Sequence, residues 1–145
     1  MRERGFTLLE VMVVLVIGAV MYALVLNMPL GRASSADLKS AARSLASGLR
    51  QAQTLAMVTR RDAVLTIDME TREYVLPGDE ARKTLPSNIE VKLFTAQSEI
   101  ESQTRGAIRF YPDGSSTGGR ITVQTGERKF LVDVDWLTGR VSINE

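Results

Sequence analysis

Arg4-Gly5-Phe6-Thr7-Leu8-Leu9-Glu10, followed by an uncharged run over residues 11–30, is the stretch from which the rest of this chain takes its meaning. Residues 11–26 are almost wholly aliphatic. At about 1.5 Å per helical residue, the span from Phe6 to Leu26 is roughly 30 Å long, the thickness of a bilayer's hydrocarbon core. Arg2 and Arg4 stand before it, and Arg32 and Asp37 are the first charges after it. Basic flanks stay on the cytoplasmic side, so the pattern predicts a cytoplasmic N-terminus and an exported remainder beyond Gly31.

Glu10 sits awkwardly in such a run, because a carboxylate at the centre of an apolar helix costs about 2.5–3.5 kcal/mol on insertion scales. Two readings answer that cost. Either the side chain snorkels to the headgroups from a shallow position, or a specific cation pairs with it. A secretory signal peptide is a rival reading of the whole segment, with Arg2 and Arg4 as its basic region, residues 11–26 as its apolar region and a cut after Ala33. Against it stand Glu10 at the start of the run, a run long for that role, and Arg32 beside the cut.

Matched at every position, Arg4-Gly5-Phe6-Thr7-Leu8-Leu9-Glu10 resembles the class III signal of type IV pilins and type II secretion pseudopilins. The resemblance implies that a prepilin peptidase cuts between Gly5 and Phe6 on the cytoplasmic side, methylates the new amino group of Phe6, and leaves the apolar run on the protein. It also implies that Glu10 pairs with the N-terminal amine of Phe6 on a neighbouring subunit as helices pack into a filament. That amine is the partner the cost of Glu10 demands.

A chain of 145 residues holds one anchor and one exported domain large enough for a core. The formal charge is +1, and removal of residues 1–5 leaves 16 basic and 16 acidic side chains. A neutral exported body carries no global bias toward nucleic acid or anionic lipid, so no nucleic-acid partner is expected. With no cysteine, the exported part must hold together by packing. With no histidine, zinc sites of the usual kind and Ser-His or Cys-His catalysis are excluded, and neither an enzyme nor a cofactor is expected.

Asn27, Pro29 and Gly31 predict a kink or short break after the anchor. Ser34 and Asp37, three apart, offer a capping box for a second helix. Leu38, Ala41, Ala42, Leu45, Gly48, Leu49, Ala52, Leu55 and Ala56 then recur at spacings of three and four, which predicts an amphipathic, core-facing helix to about Thr59. Its stripe of small residues allows a sheet to lie close against it.

Past Arg60-Arg61-Asp62 the period shifts to two. Strands are expected over residues 63–68 and 73–76, joined by a turn at Met69-Glu70-Thr71-Arg72, and over residues 89–94, with Ile89, Val91 and Leu93 on one face. The polar stretch 96–105 reads as an exposed, disordered excursion in which Glu99 and Glu101 are solubilising. Four further strands are expected over 107–111, 120–124, 129–134 and 140–143, with hairpins at Thr125-Gly126-Glu127 and Leu137-Thr138-Gly139. This spacing predicts an antiparallel meander or sandwich.

One loop stands out by composition, Tyr111-Pro112-Asp113-Gly114-Ser115-Ser116-Thr117-Gly118-Gly119. A phosphate cradle is disfavoured because no lysine follows the glycines and the next segment reads as strand. A calcium loop would have Asp113 as its sole carboxylate. A catalytic Ser115 or Ser116 would lack a histidine. The loop therefore reads as a structural turn in which Pro112, Asp113, Gly114, Gly118 and Gly119 set the backbone, with Trp136 and Gly139 shaping the segment beside it. The alternation of residues 129–134 extended to Trp136 predicts a buried indole, whereas Ser115→Ala and Ser116→Ala are expected to leave folding nearly intact.

The stretch 108–119, followed by Val134-Asp135-Trp136-Leu137-Thr138-Gly139-Arg140-Val141, resembles the C-terminal domain of the GspH family of minor pseudopilins. What this implies is an α+β, pilin-like fold in which a long N-terminal transmembrane helix precedes an antiparallel β domain of two packed sheets. The divisions are a leader peptide (1–5), a transmembrane and assembly helix (6–30), a periplasmic amphipathic helix (31–61) and a periplasmic β domain (62–145). By the same resemblance the chain is a single-pass inner-membrane protein of the periplasmic pseudopilus. It would sit near the tip, joining the major pseudopilin G to the minor pseudopilins I, J and K, and help drive folded exoproteins through the outer-membrane secretin. A minor pilin of a type IV pilus, in an assembly or DNA-uptake role, is the alternative.

Overall fold

The computed structural model describes residues 7–27, 35–79 and 81–145, and the chain divides into two compact units, Met1–Gly31 and Arg32–Glu145. In the first unit, helix α1 spans Leu8–Asn27. Thr7 caps it, its hydroxyl and its carbonyl both accepting from the Glu10 N–H, at 3.2 and 3.1 Å, and the carbonyl accepting from the Val11 N–H at 3.2 Å. Apart from Glu10 the helix shows no charged residue on any side, the pattern of a helix that is covered by lipid or by other helices. Among the described residues no helix is long and apolar enough to cross a membrane. The span expected over residues 6–30 extends beyond the described residues at both ends. The expected break at Pro29 and the Ser34 half of the capping box also lie outside them.

The second unit begins with helix α2, Ser35–Thr59, whose buried residues are Leu38, Ala41, Ala42, Leu45, Ala46, Gly48, Leu49, Ala52 and Ala56. This is the expected stripe with Ala46 added and Leu55 moved to its margin. Gly48 permits a close approach, since a Cβ there would stand 2.7 Å from Leu76 Cδ2. The helix stops at Arg60, which takes a left-handed φ of 53°.

Eight strands follow: β1 Ala63–Asp68, β2 Glu73–Val75, β3 Arg82–Thr84, β4 Glu90–Thr95, β5 Arg105–Phe110, β6 Gly119–Thr125, β7 Arg128–Val134 and β8 Val141–Asn144. They form two antiparallel four-stranded sheets, ordered β3-β2-β1-β5 and β4-β6-β7-β8. The inward faces, with Leu65 opposite Ile108 in one sheet and Val123 opposite Phe130 in the other, share one core with the α2 stripe. Helix α2 packs on β1, β5, β6, β7 and β8 and so completes both sheets. The fold is α+β, helices first and two antiparallel sheets after them.

Two sequence expectations are corrected. Strand β3 was not anticipated, because Arg82, Lys83 and Thr84 are all exposed and carry no alternation; pairing with β2 alone makes it a strand. The stretch 96–105 is ordered, with a 3-10 turn at Gln97–Glu99, a bridge from Ile100 to Gly106, and the N–H groups of Glu101 and Ser102 both donating to the Arg105 carbonyl at 3.0 Å. Glu99 is not a solubilising residue but is buried. It accepts from Arg109 Nε at 3.1 Å, and Arg109 reaches Asp62 at 3.6 Å, so a charge network ties the excursion to β5 and to the α2–β1 turn.

Candidate assembly site

Gly5 and Phe6, the expected cleavage and methylation positions, lie outside the described residues. Glu10 lies in the first turn of α1 and is exposed. Beside it, Leu9, Met12, Val13, Val16 and Ile17 line a shallow, wholly apolar groove along the helix. Spacings of three and four put these five on one stripe, and Glu10 stands at its N-terminal edge. Every described side chain of α1 from Leu8 to Tyr22 is exposed, so the unit presents apolar surface beside one carboxylate.

In the second unit the composition-rich loop and the β7–β8 turn lock together. Gly114 N donates to the Tyr111 carbonyl and Tyr111 N to the Ser115 carbonyl, both at 2.9 Å, which closes the turn that Pro112 opens. Asp113 Oδ1 accepts from Ser115 N at 2.9 Å and from Ser115 Oγ at 2.6 Å. Asp135 Oδ1 accepts from Leu137 N, Thr138 N and Thr138 Oγ1 at 2.8–3.0 Å, and the Gly139 N–H donates to the Asp135 carbonyl. Both carboxylates are consequently held below the ordinary value of 3.8, Asp113 by the Ser115 hydroxyl first and Asp135 by the Thr138 amide first.

What joins the two turns is a residue that periodicity did not single out. Gln53 Nε2, from α2, donates to the Gly114 carbonyl at 2.9 Å and to the Thr138 carbonyl at 3.0 Å. Gly139 lies directly against this junction. A Cβ there would fall 2.2 Å from the Gly114 oxygen and 2.4 Å from Gln53 Nε2, at a φ of 62°. The only hint in the sequence is that Gln53 stands between Ala52 and Ala56, a polar group at the margin of the stripe.

Trp136 overturns the expected burial, with 66% of its surface exposed. Strand β7 ends at Val134, and the Asp135 turn breaks the alternation before it can carry Trp136 inward. The backbone of Trp136 is engaged instead: its carbonyl accepts from Ser116 N at 2.9 Å, and Gly118 packs against its Cα and Cβ. Ser116 is more deeply engaged than a turn serine on the surface. It is buried, its Oγ accepts from Gly118 N at 2.8 Å and donates to the Asp135 carbonyl at 3.3 Å, and both bonds vanish in Ser116→Ala. The Ser115 hydroxyl donates to Asp113, within its own turn.

Beside this junction, the outer face of the second sheet carries Arg120 paired with Asp133, and Asn144 donates to the other Asp133 oxygen at 2.9 Å. Among the described residues, no group of three or more acidic, cysteine or histidine side chains gathers to hold a metal ion. Asp113 and Asp135 are committed to holding the two turns and Asp133 to Arg120 and Asn144, so the arrangement is a scaffold that fixes shape.

Set against known proteins, residues 41–138 match the family model described as Type II transport protein GspH, and residues 1–26 match the Prokaryotic N-terminal methylation motif. The Type II secretion system protein H of Xanthomonas campestris pv. campestris is 36% identical over 139 residues, covering 95% of this chain and 81% of that one. Among solved structures, the minor pseudopilin EpsH from the Type 2 Secretion System of Vibrio cholerae aligns with a TM-score of 0.59 at 16% identity, over 74% of this chain and 96% of that chain. The type IV minor pilin FimU of Pseudomonas aeruginosa aligns at 0.56 and 14% identity, over 74% and 88%. At those identities the two structures are alike in fold.

Proposed function

The chain belongs to the GspH family of type II transport proteins, the minor pseudopilins of type II secretion, and on that footing we propose that it is a structural subunit near the tip of the periplasmic pseudopilus. There it joins the major pseudopilin G to the minor pseudopilins I, J and K and helps drive folded exoproteins through the outer-membrane secretin. It starts as a single-pass inner-membrane protein with its N-terminus in the cytoplasm; prepilin peptidase removes residues 1–5 and methylates Phe6. The observation that carries this reading is α1, an exposed apolar helix with one carboxylate in its first turn. Such a surface is tolerated in lipid first and among other helices afterwards, and the carboxylate moves between those settings at low cost only if an amine neutralises it.

The test has two readouts. Intact-mass analysis of the membrane-extracted protein should find a chain that begins at N-methylated Phe6, whereas a chain that begins at Ser34 supports a cleaved signal peptide. Glu10→Ala should insert and be processed yet co-purify poorly with the major subunit, and unchanged incorporation sinks the ion pair. A second reading, a minor pilin of a type IV pilus, draws support from the likeness in fold to FimU. Deletion of the gene separates the two, through loss of exoprotein secretion in one case and of pili in the other.

A further inference from the structure

Across the outer face of the second sheet one row of paired residues runs Phe94, Arg120, Asp133, Ser142, in register over β4, β6, β7 and β8. At about 4.8 Å between strands the row is roughly 14 Å long. Phe94, 78% exposed, begins it. Trp136, 66% exposed, lines an open groove of about 800 Å³ together with Arg120, Asp133, Arg140, Ser142 and Asn144.

The polar atoms of this groove are held in place and still have bonds to give. Asp133 accepts from Arg120 Nε with one oxygen and from Asn144 Nδ2 with the other, which leaves acceptor capacity on both. The Arg120 terminal amines, the Asn144 amide oxygen and the Ser142 hydroxyl make no hydrogen bond among the described residues. The backbone that carries the indole is set in advance, since the Trp136 carbonyl accepts from Ser116 N and its Cα and Cβ lie against Gly118. Cationic charge is also to hand. Arg140 in the groove, and Arg60 and Arg61 just past α2, are exposed and make no ion pair among the described residues, although the charge of Arg140 helps hold Asp135 down. The end of α2 reaches the same region through Met57, whose Sδ lies against Gly114, and Gly114 lies against Gly139.

We propose that this groove binds a carboxylate-bearing polysaccharide, the glycan of the cell wall; the proposal rests on the pseudopilin reading above for the compartment in which the two meet. Its chemistry selects that ligand. A sugar ring has an apolar C–H face and a rim of hydroxyls that both donate and accept. The groove sets an aromatic face beside a carboxylate, a guanidinium, an amide and a hydroxyl, a mixture of acceptors and donors that such a rim satisfies. Carboxylates carried by the glycan are attracted to Arg140, and beyond it to Arg60 and Arg61. Nucleic acid and anionic lipid fit less well, because their phosphates donate nothing to Asp133 and are repelled by it and by Asp135. A protein partner calls for charge to be depleted at the centre of its contact, where this groove holds the Arg120–Asp133 pair.

Trp136 is the only tryptophan, so its fluorescence reports on the groove directly in the full chain, held in a detergent without a sugar headgroup. Solubilised wall-glycan fragments should shift the emission saturably. Uncharged oligomers of N-acetylglucosamine should bind at least tenfold more weakly, and Arg140→Gln should weaken the wall fragments to the same degree. Ser142→Ala with Asn144→Ala should cost tenfold or more in affinity at an unchanged melting temperature, whereas Lys83→Gln, on the exposed edge strand β3, should bind as the parent chain does. No shift with the wall fragments, an equal shift with dextran, or a response only to an oligonucleotide or to phosphatidylglycerol vesicles overturns the glycan site. A failed titration on a chain whose mass begins at N-methylated Phe6 overturns the groove alone. A chain that begins at Ser34 overturns the pseudopilin reading, whatever the titration gives.

Discussion

Gly139 and Gly126 both take a left-handed backbone, at φ values of 62° and 57°, yet they are not equivalent. A Cβ at Gly126 would meet nothing within 4 Å, whereas one at Gly139 would collide with the Gly114 carbonyl. Gly126→Ala should therefore cost only the conformational penalty of about 1–2 kcal/mol. Gly139→Ala should cost about 3 kcal/mol or more, because the clash with backbone adds to that penalty. Urea unfolding of the full chain in detergent, followed by near-ultraviolet dichroism, measures both. Trp136 makes the converse case. Its exposed indole should be quenched readily by acrylamide, and Trp136→Ala should shift stability by no more than about 0.5 kcal/mol, as for a surface substitution. A buried indole would instead resist quenching.

At the scale of elements, α2 does two jobs with different residues. Its Ala, Gly and Leu stripe lets both sheets approach, and Arg50 and Gln53 reach from its margin to the carbonyls of Val141, Gly114 and Thr138. Gln53→Ala removes two hydrogen bonds at once and strips the Gly114 carbonyl of a partner. The expected loss is about 1–3 kcal/mol, with faster amide exchange confined to the two turns. The excursion before β5 depends in the same way on one buried carboxylate. Glu99→Gln weakens the pairing with Arg109, whose guanidinium is held above its ordinary value chiefly by the Glu99 hydrogen bond. A loss of about 1–3 kcal/mol is expected, smaller than for a fully buried pair because Arg109 is partly exposed and keeps Asp62.

For the whole molecule, the lowered carboxylates set how stability responds to acid. Asp68, held down first by the Thr71 amide and then by Arg105, joins Asp113 and Asp135 in this. A group whose folded pKa lies below its unfolded one contributes stability above the unfolded value and loses it as pH falls through the folded value. The melting temperature should accordingly stay level from neutral pH down to about 4 and fall below that, and Asp135→Asn should flatten part of the decline. A melt that weakens already between pH 7 and 5 would contradict this, since the chain has no histidine to titrate there.

By itself, the sequence determined the class of the protein and the order of its helices and of every strand but β3. An apolar run with basic residues ahead of it, a stripe at helical spacing, and alternation at strand spacing are local signals, and each depends only on near neighbours along the chain. The methylation motif is of the same kind, and so are the glycines at the Thr125-Gly126-Glu127 and Leu137-Thr138-Gly139 turns. Tertiary structure decided what depends on residues far apart in sequence. Strand β3 exists only because β2 pairs with it, Glu99 is buried only because Arg109 meets it, and Gln53 matters only because two turns converge on α2. Trp136 shows the boundary between the two: alternation is a property of a strand, and the strand ended two residues earlier at Val134, where the hydrogen bonds of the Asp135 turn took over the backbone.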